Sequence, residues 1–175
     1  GLPEHLAHKF LCDIANGLQV MHSLHLAHRD LKPANLLLSR PFTGRQVGVL
    51  KIADFGFVKQ MKTPGNDLSE TLCGSPLYMA PEILQSRKYD ASKADLWSVG
   101  VILYELLYGV PPFIASNIID LLAQIKTMNV NYQIDDNNGD NDNNDNNSDD
   151  VKTASGNTIS IHAIQLLRRL LQPDP

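Results

Sequence analysis

Residues 96–108, LWSVGVILYELLY, form the most apolar run of the chain, interrupted by Ser98, Gly100 and Glu105. The run falls well short of the roughly 20 residues that a membrane span needs, so it reads as a buried core helix. The whole chain has 175 residues, 43% hydrophobic and 19% charged. That is enough for one sizeable core and too little for two ordinary domains, so a single soluble globular unit is expected. Ser92, Lys93, Ala94 and Asp95 have the form of a capping box at the start of the apolar helix, and Gly109 with Pro111 and Pro112 stops it.

The rest of the chain is organised around short, well-punctuated pieces. Leu6, Phe10, Ile14, Leu18 and Met21 share one face at helical spacing, which predicts an amphipathic helix over 3–24 with Pro3 in its first turn. Two apolar runs, 36–38 and 49–53, flank the polar, turn-rich stretch 40–45 and are expected to be the strands of a hairpin. Residues 56–80 carry Gly56, Pro64, Gly65, Gly74 and Pro76 with little periodicity and read as an extended loop. Further helices are expected over 116–128 and 159–171, the second with Ala163, Leu166, Leu167 and Leu170 on one side.

Between those helices, residues 129–157 read as an insert. Its centre, 135–150, is seven Asp, seven Asn, one Gly and one Ser. Such a composition has nothing to pack and repels itself, so disorder and dispensability are expected. A calcium loop starting at Asp140 fails on spacing, because Asp145 stands where the sharp turn wants Gly and Val151 where a bidentate Glu is needed. Fifteen Lys and Arg face nineteen Asp and Glu, a formal charge of -4. Without the insert's centre, fifteen bases face twelve acids. The acidity is therefore local, and nucleic acid is excluded as the dominant partner. Cys12 and Cys73 stand far apart, with no Cys-x-x-Cys and no His cluster of ligand spacing. That argues against a disulfide framework or zinc site and for a reducing, cytoplasmic home.

The chemistry-bearing residues come in a fixed order. His28-Arg29-Asp30-Leu31-Lys32-Pro33-Ala34-Asn35 is followed by Asp54-Phe55-Gly56 and then by Ala80-Pro81-Glu82. Together these motifs resemble the eukaryotic protein kinase family, over nearly the whole chain. The resemblance implies an α+β, predominantly helical kinase fold of which residues 1–175 are the large, C-terminal lobe, with the insert at about 129–157. It also implies transfer of the ATP γ-phosphate to protein substrates. Asp30 would be the base for the acceptor hydroxyl, Asn35 and Asp54 the Mg2+ ligands, and Lys32 a contact to the moving phosphoryl group. Lys32 within Asp-Leu-Lys-Pro-Ala-Asn is what the serine/threonine branch shows.

By the same resemblance, Ser75 bridges Asp30 and Lys32, and Ser75 and Leu77 belong to the peptide platform. Thr71 occupies the usual activating phosphosite, with Arg29 and Lys59 as its phosphate-binding bases; the alternative is an ordinary exposed loop hydroxyl. Glu82 is expected to lack its usual Arg partner. Asp95 resembles the Asp that hydrogen-bonds the catalytic-loop backbone, and it can also belong to the capping box, since neither role excludes the other. Trp97 is expected in the core. His5, His8, His22, His25 and His162 show no carboxylate or Cys companion at useful spacing, so solvated or core roles are expected.

Lys51-Ile52-Ala53-Asp54-Phe55-Gly56-Phe57, the long connection before it, 72–82, and 93–100 are similar to the autophagy-initiating kinases, the ULK group. No Gly-rich strand-turn and no Val-Ala-Ile-Lys occurs, so the small lobe is expected to lie ahead of residue 1 and the fragment alone to be inactive. The rival readings are a non-catalytic truncated or pseudokinase-like binding module and, on composition alone, a metal-buffering protein.

Overall fold

The computed structural model describes residues 1–41, 43, 47–61, 68–69, 71, 73–128, 130–132, 151–152 and 158–173. Helix α1 (Glu4–Ser23) buries Ala7, Phe10, Ile14, Leu18 and Met21 along one face. Pro3 stands just ahead of the first turn, where a missing backbone N–H leaves no bond unmade. Strand β1 (Leu26–Ala27) and a 3-10 turn over Pro33–Asn35 lead to β2 (Leu36–Leu38) and β3 (Leu50–Ile52). The last two pair antiparallel with Leu36 opposite Ile52, as the hairpin pattern predicts. At the open end of that hairpin the Ala53 amide donates to the Asn35 carbonyl at 2.9 Å.

The stretch expected as one extended loop contains more regular structure than its sequence advertises. Strand β4 (Lys59–Gln60) pairs with β1, and β5 (Leu68–Ser69) pairs with β6 (Tyr89–Asp90). Strands of two residues are too short to show an alternation, so no periodic signal could have revealed them. A 3-10 turn over Pro76–Tyr78 and helix α2 (Pro81–Leu84) complete this region.

Helix α3 (Ala91–Tyr108) is the expected core helix, with Trp97, Val101, Leu103, Tyr104 and Leu107 buried into one cluster and Val99 and Ile102 into another. Its cap is a correction. Asp90, not Ser92, caps the helix, accepting from the Ser92 amide at 2.9 Å and from the Ser92 hydroxyl at 2.6 Å. Asp95, the supposed far end of the box, turns instead into the interior. Gly109, at φ 82°, ends the helix in the left-handed conformation.

Around α3 the remaining helices form a shell. Phe113, Leu121 and Ile125 pack from the side of α4 (Ile118–Thr127), and Ile164, Leu167 and Leu171 from the side of α5 (Ile161–Leu170). Ile14, Leu18 and Met21 of α1 meet Leu31, Val99 and Ile102 opposite. Both outer helices carry side-chain caps, Asn117 on the Asp120 amide and Ser160 on the Ala163 amide. The fold is mixed helix and sheet, with helix predominating.

Gly100 lets α3 and α5 close together, because a Cβ there would lie 2.8 Å from Cβ of Leu170 and 3.0 Å from the Leu171 side chain. Gly100→Val in the full-length protein is therefore expected to cost about 1–3 kcal/mol through overpacking. Its denaturant midpoint should fall accordingly, and a midpoint equal to the parent's would contradict this packing.

The Asp/Asn-rich centre expected at 135–150 lies outside the described residues. Its flanks do not match an insert without structure. The Tyr104 hydroxyl donates to the Asn131 carbonyl at 2.6 Å and the Tyr108 hydroxyl to the Tyr132 carbonyl at 3.1 Å. On the far side β7 (Val151–Lys152) pairs with β8 (Thr158–Ile159). Among the described residues no helix is long and apolar enough to cross a membrane.

Candidate active site

The turn after β1 brings Asp30 into a buried position at the edge of the core. Its carboxylate is surrounded by donors. Oδ2 accepts from the Lys32 Nζ at 2.8 Å and the Asn35 Nδ2 at 3.1 Å, and Oδ1 from the Ser75 hydroxyl at 3.1 Å. Lys32 Nζ also donates to the Ser75 Oγ at 2.8 Å, closing a triangle among the three side chains. Asn35 Nδ2 reaches the Asp30 carbonyl at 2.8 Å as well. The four residues come from the turn after β1 and from the segment before Pro76, forty residues further on.

What lets that later segment approach is Gly74. It adopts φ 108°, a region that side chains rarely enter, and a Cβ there would lie 2.7 Å from the Arg29 carbonyl. Beyond it, Tyr78 is held from two sides. Its hydroxyl donates to the Glu105 carboxylate at 2.8 Å, and its carbonyl accepts from the Ser98 hydroxyl at 2.7 Å. Burial first, then that hydrogen bond and the Glu105 charge, push the Tyr78 phenol well above its ordinary range and keep it a donor. Leu77, between Ser75 and this anchor, is half-buried.

Asp54 sits at φ 62° and is exposed, its Oδ1 accepting from the Gly56 amide at 3.2 Å. Two bonds tie its segment to the turn after β1: the Ala53 amide to the Asn35 carbonyl, and the His28 Nε2 to the Ala53 carbonyl at 3.1 Å. The Phe55 ring lies edge-on to the His28 ring at 5.7 Å. The available donors are hard oxygens, an exposed carboxylate and an amide whose nitrogen is already engaged. That set suits Mg2+, which keeps several waters and takes only one or two protein ligands beside substrate phosphates.

Arg29, at φ 68°, sends its guanidinium toward the segment that follows, with Nε donating to the Phe57 carbonyl at 2.7 Å and Nη1 to the Ser69 hydroxyl at 3.4 Å. Thr71 is exposed, its carbonyl accepting from the Tyr89 hydroxyl at 3.0 Å. Lys59 lies half-buried in β4 opposite Ala27.

Of its two readings, Asp95 shows the bond to the backbone ahead of Asp30 and no part in the helix cap. Its carboxylate, 1% exposed, accepts from the Arg29 amide at 2.8 Å and from the His28 amide at 2.9 Å. His22 also reaches it, Nε2 to Oδ2 at 2.9 Å. The expectation that His22 has no carboxylate companion is thus wrong, because the fold supplies one 73 residues away. His8 departs too, its ring nitrogen lying 3.8 Å from the Cys12 sulfur one helical turn on. Glu82 is not left without a partner; it is half-buried in a cleft also lined by Lys93, Trp97 and Arg169. Trp97 is buried as expected, stacked 6.1 Å from Phe113.

The entire chain, residues 1–175, matches the model of the protein kinase domain. The chain belongs to the protein kinase family. It is similar to serine/threonine-protein kinase ATG1b of Arabidopsis thaliana, 55% identical over 124 residues that cover 71% of this chain and 17% of that kinase. Similarity to serine/threonine-protein kinase atg1 of Schizosaccharomyces pombe is 50% over 138 residues, covering 72% and 16%. With the Komagataella pastoris kinase ATG1 it is 50% over 137 residues, covering 72% and 17%. The match thus spans less than a fifth of the length of these curated kinases. The kinase motifs and the similarity to the ULK group that the sequence displays agree with these findings.

Proposed function

We propose that the chain is the large lobe of a serine/threonine protein kinase of the autophagy-initiating group, acting in the cytoplasm on protein substrates once joined to a small lobe. The hydrogen-bonded set of Asp30, Lys32, Asn35 and Ser75 carries this reading. It places an acceptor-only carboxylate, a cation and a hydroxyl at one point, which is what aligning a substrate hydroxyl for in-line phosphoryl transfer requires. Asn35 and Asp54 would hold Mg2+ on the phosphates of ATP, and the metal neutralises charge that spreads over the phosphoryl oxygens. Asp30 accepts the proton of the attacking Ser or Thr hydroxyl. Lys32, already on Ser75 and Asp30, is within reach of the same point. A binding module without chemistry would have no need of this acceptor and donor set.

The test is made on the joined kinase. Magnesium-ATP and peptides that differ only in carrying Ser or Tyr are expected to give transfer to Ser alone, lost on chelation; transfer to Tyr alone would overturn the assignment. The 175-residue piece by itself is expected to show negligible transfer and weak nucleotide affinity, because the chain contains no Gly-rich strand-turn to roof the adenine. Calorimetric titration reads that affinity, and micromolar binding would remove the need for a second lobe.

Phosphate on Thr71 would add about -1.5 to -2 of charge close to the segment that Arg29 already contacts. Charge-assisted bonds to Arg29 and Lys59, about 1.5–3 kcal/mol each, would tie Thr71 to the turn before Asp30. Thr71→Ala is expected to hold the joined kinase at its unphosphorylated rate. Peptide assays before and after treatment with an activating kinase check this, and full activity in the variant would remove the switch.

A further inference from the structure

The hairpin of β2 and β3 carries both residues proposed for the metal, Asn35 immediately ahead of β2 and Asp54 two residues beyond β3. Bonds across it run from the Ser39 amide to the Val49 carbonyl and from the Ala53 amide to the Asn35 carbonyl, each at 2.9 Å, with Leu38 opposite Leu50. In an antiparallel pair the amides of alternate residues point away from the partner strand, and this register turns the Leu50 N–H outward from β2. Helix α1 meets it there. Asp13 Oδ2 accepts from the Leu50 amide at 2.8 Å, and the same oxygen accepts from Lys9 one helical turn back.

Two points fix the direction of a strand where one leaves it a pivot. Beyond its last residue β3 is tied through Ala53, whose amide bonds to Asn35 and whose carbonyl bonds to His28. Asp13 supplies the second point three residues earlier, about 10 Å away along an extended chain. Between the two, α1 lies close on the strand, since a Cβ on Gly17 would stand 2.9 Å from Ile52 Cδ1. Asn35 does not depend on this grip, because its Nδ2 is bonded to the Asp30 carbonyl and carboxylate. Asp54 does depend on it: the residue is exposed, and its carboxylate bonds back to the Gly56 amide of its own segment.

We infer that Asp13 is a positioning residue for the metal ligands: by holding the Leu50 amide on the outer edge of β3, it sets where Asp54 stands relative to Asn35. This rests on the reading of Asn35 and Asp54 as the Mg2+ ligands. The Asp13 side chain is 16% exposed, so the bond lies largely out of water, and Lys9 balances its charge. Loss of the acceptor frees the strand to swivel about Ala53. That displaces one ligand of the pair and leaves the bonds among Asp30, Lys32 and Ser75 in place. The effect should therefore fall on binding that goes through the metal.

The experiment uses the full-length kinase and reads binding rather than transfer, by calorimetric titration with ATP in excess Mg2+ and with ATP in chelator. The parent is expected to bind the magnesium complex more tightly. Equal affinity with and without metal in the parent would overturn the ligand reading, and this inference with it. With a metal-dependent parent, Asp13→Ala is expected to weaken Mg2+-ATP about fivefold, the scale of one net hydrogen bond, and to leave ATP in chelator within about twofold. Amide exchange at Leu50 should quicken at least about tenfold in the same variant. Asp13→Asn, which keeps an acceptor oxygen at the same reach, should restore both readings, whereas Asp13→Ser, whose hydroxyl ends one atom short, should not. If Asp13→Ala fails to fold, the Asn and Ser pair decides alone. Equal Mg2+-ATP affinity for Asn and Ser, an Asp13→Ala protein that binds as the parent does, or a loss that is the same with and without metal would reduce Asp13 to a packing role and overturn the inference.

Discussion

Asp30→Asn in the complete kinase is expected to lower turnover by about 10²- to 10⁴-fold, the usual worth of a positioned general base, with KM for ATP little changed. The substitution keeps the shape and can still accept from Lys32 or Ser75 through its amide oxygen, so the buried pocket should survive. What it loses is the ability to take a proton. The three donors that now converge on the carboxylate also bear on the outcome, because an amide nitrogen placed toward Lys32 Nζ or Asn35 Nδ2 would set donor against donor. Single-turnover transfer to a serine peptide, read beside the melting temperature, separates lost chemistry from lost folding. A rate equal to the parent's would show that Asp30 is not the base.

The largest effect on stability is expected from Asp95→Ala. Removing this carboxylate strands the His28 and Arg29 amides, the first in a fully buried residue, and leaves the left-handed turn at Arg29 without what holds it. Each orphaned donor costs about 1–3 kcal/mol, so a loss of about 2–6 kcal/mol follows, a large share of the 5–15 kcal/mol of an ordinary domain. Denaturant titration of the full-length protein should show the midpoint falling with kinase activity. Asp95→Asn, which keeps an acceptor for one amide, should lie between parent and Ala; an Ala variant as stable as the parent would mean that water satisfies both amides.

Much of the site was legible in the sequence because its residues are packed into short local strings. Asp30, Lys32 and Asn35 lie within one turn, and the similarity of that string to other kinases suggests their proposed roles without any knowledge of the fold. The core helix was legible for a different reason, since thirteen residues of near-continuous apolar character bury most of their length, with Leu96 left outside. What could not be read depends on contacts between distant segments. His22 has no carboxylate within a helical turn and meets Asp95 only because α1 and α3 pack together. Tyr78 and Glu105 are likewise 27 residues apart. The cap of α3 went wrong because Asp90 and Ser92 are both good cap residues, and only the burial of Asp95 decides between them.

The approach of Gly74 to the Arg29 carbonyl sets one main chain directly against another, with no side chain between them. That spacing is therefore set by backbone alone. A changed side chain on either neighbour leaves the approach of the two main chains as it is, whereas a side chain at position 74 would meet both the positive-φ backbone and the Arg29 carbonyl. Position 74 is in this sense a spacer made by an absent atom.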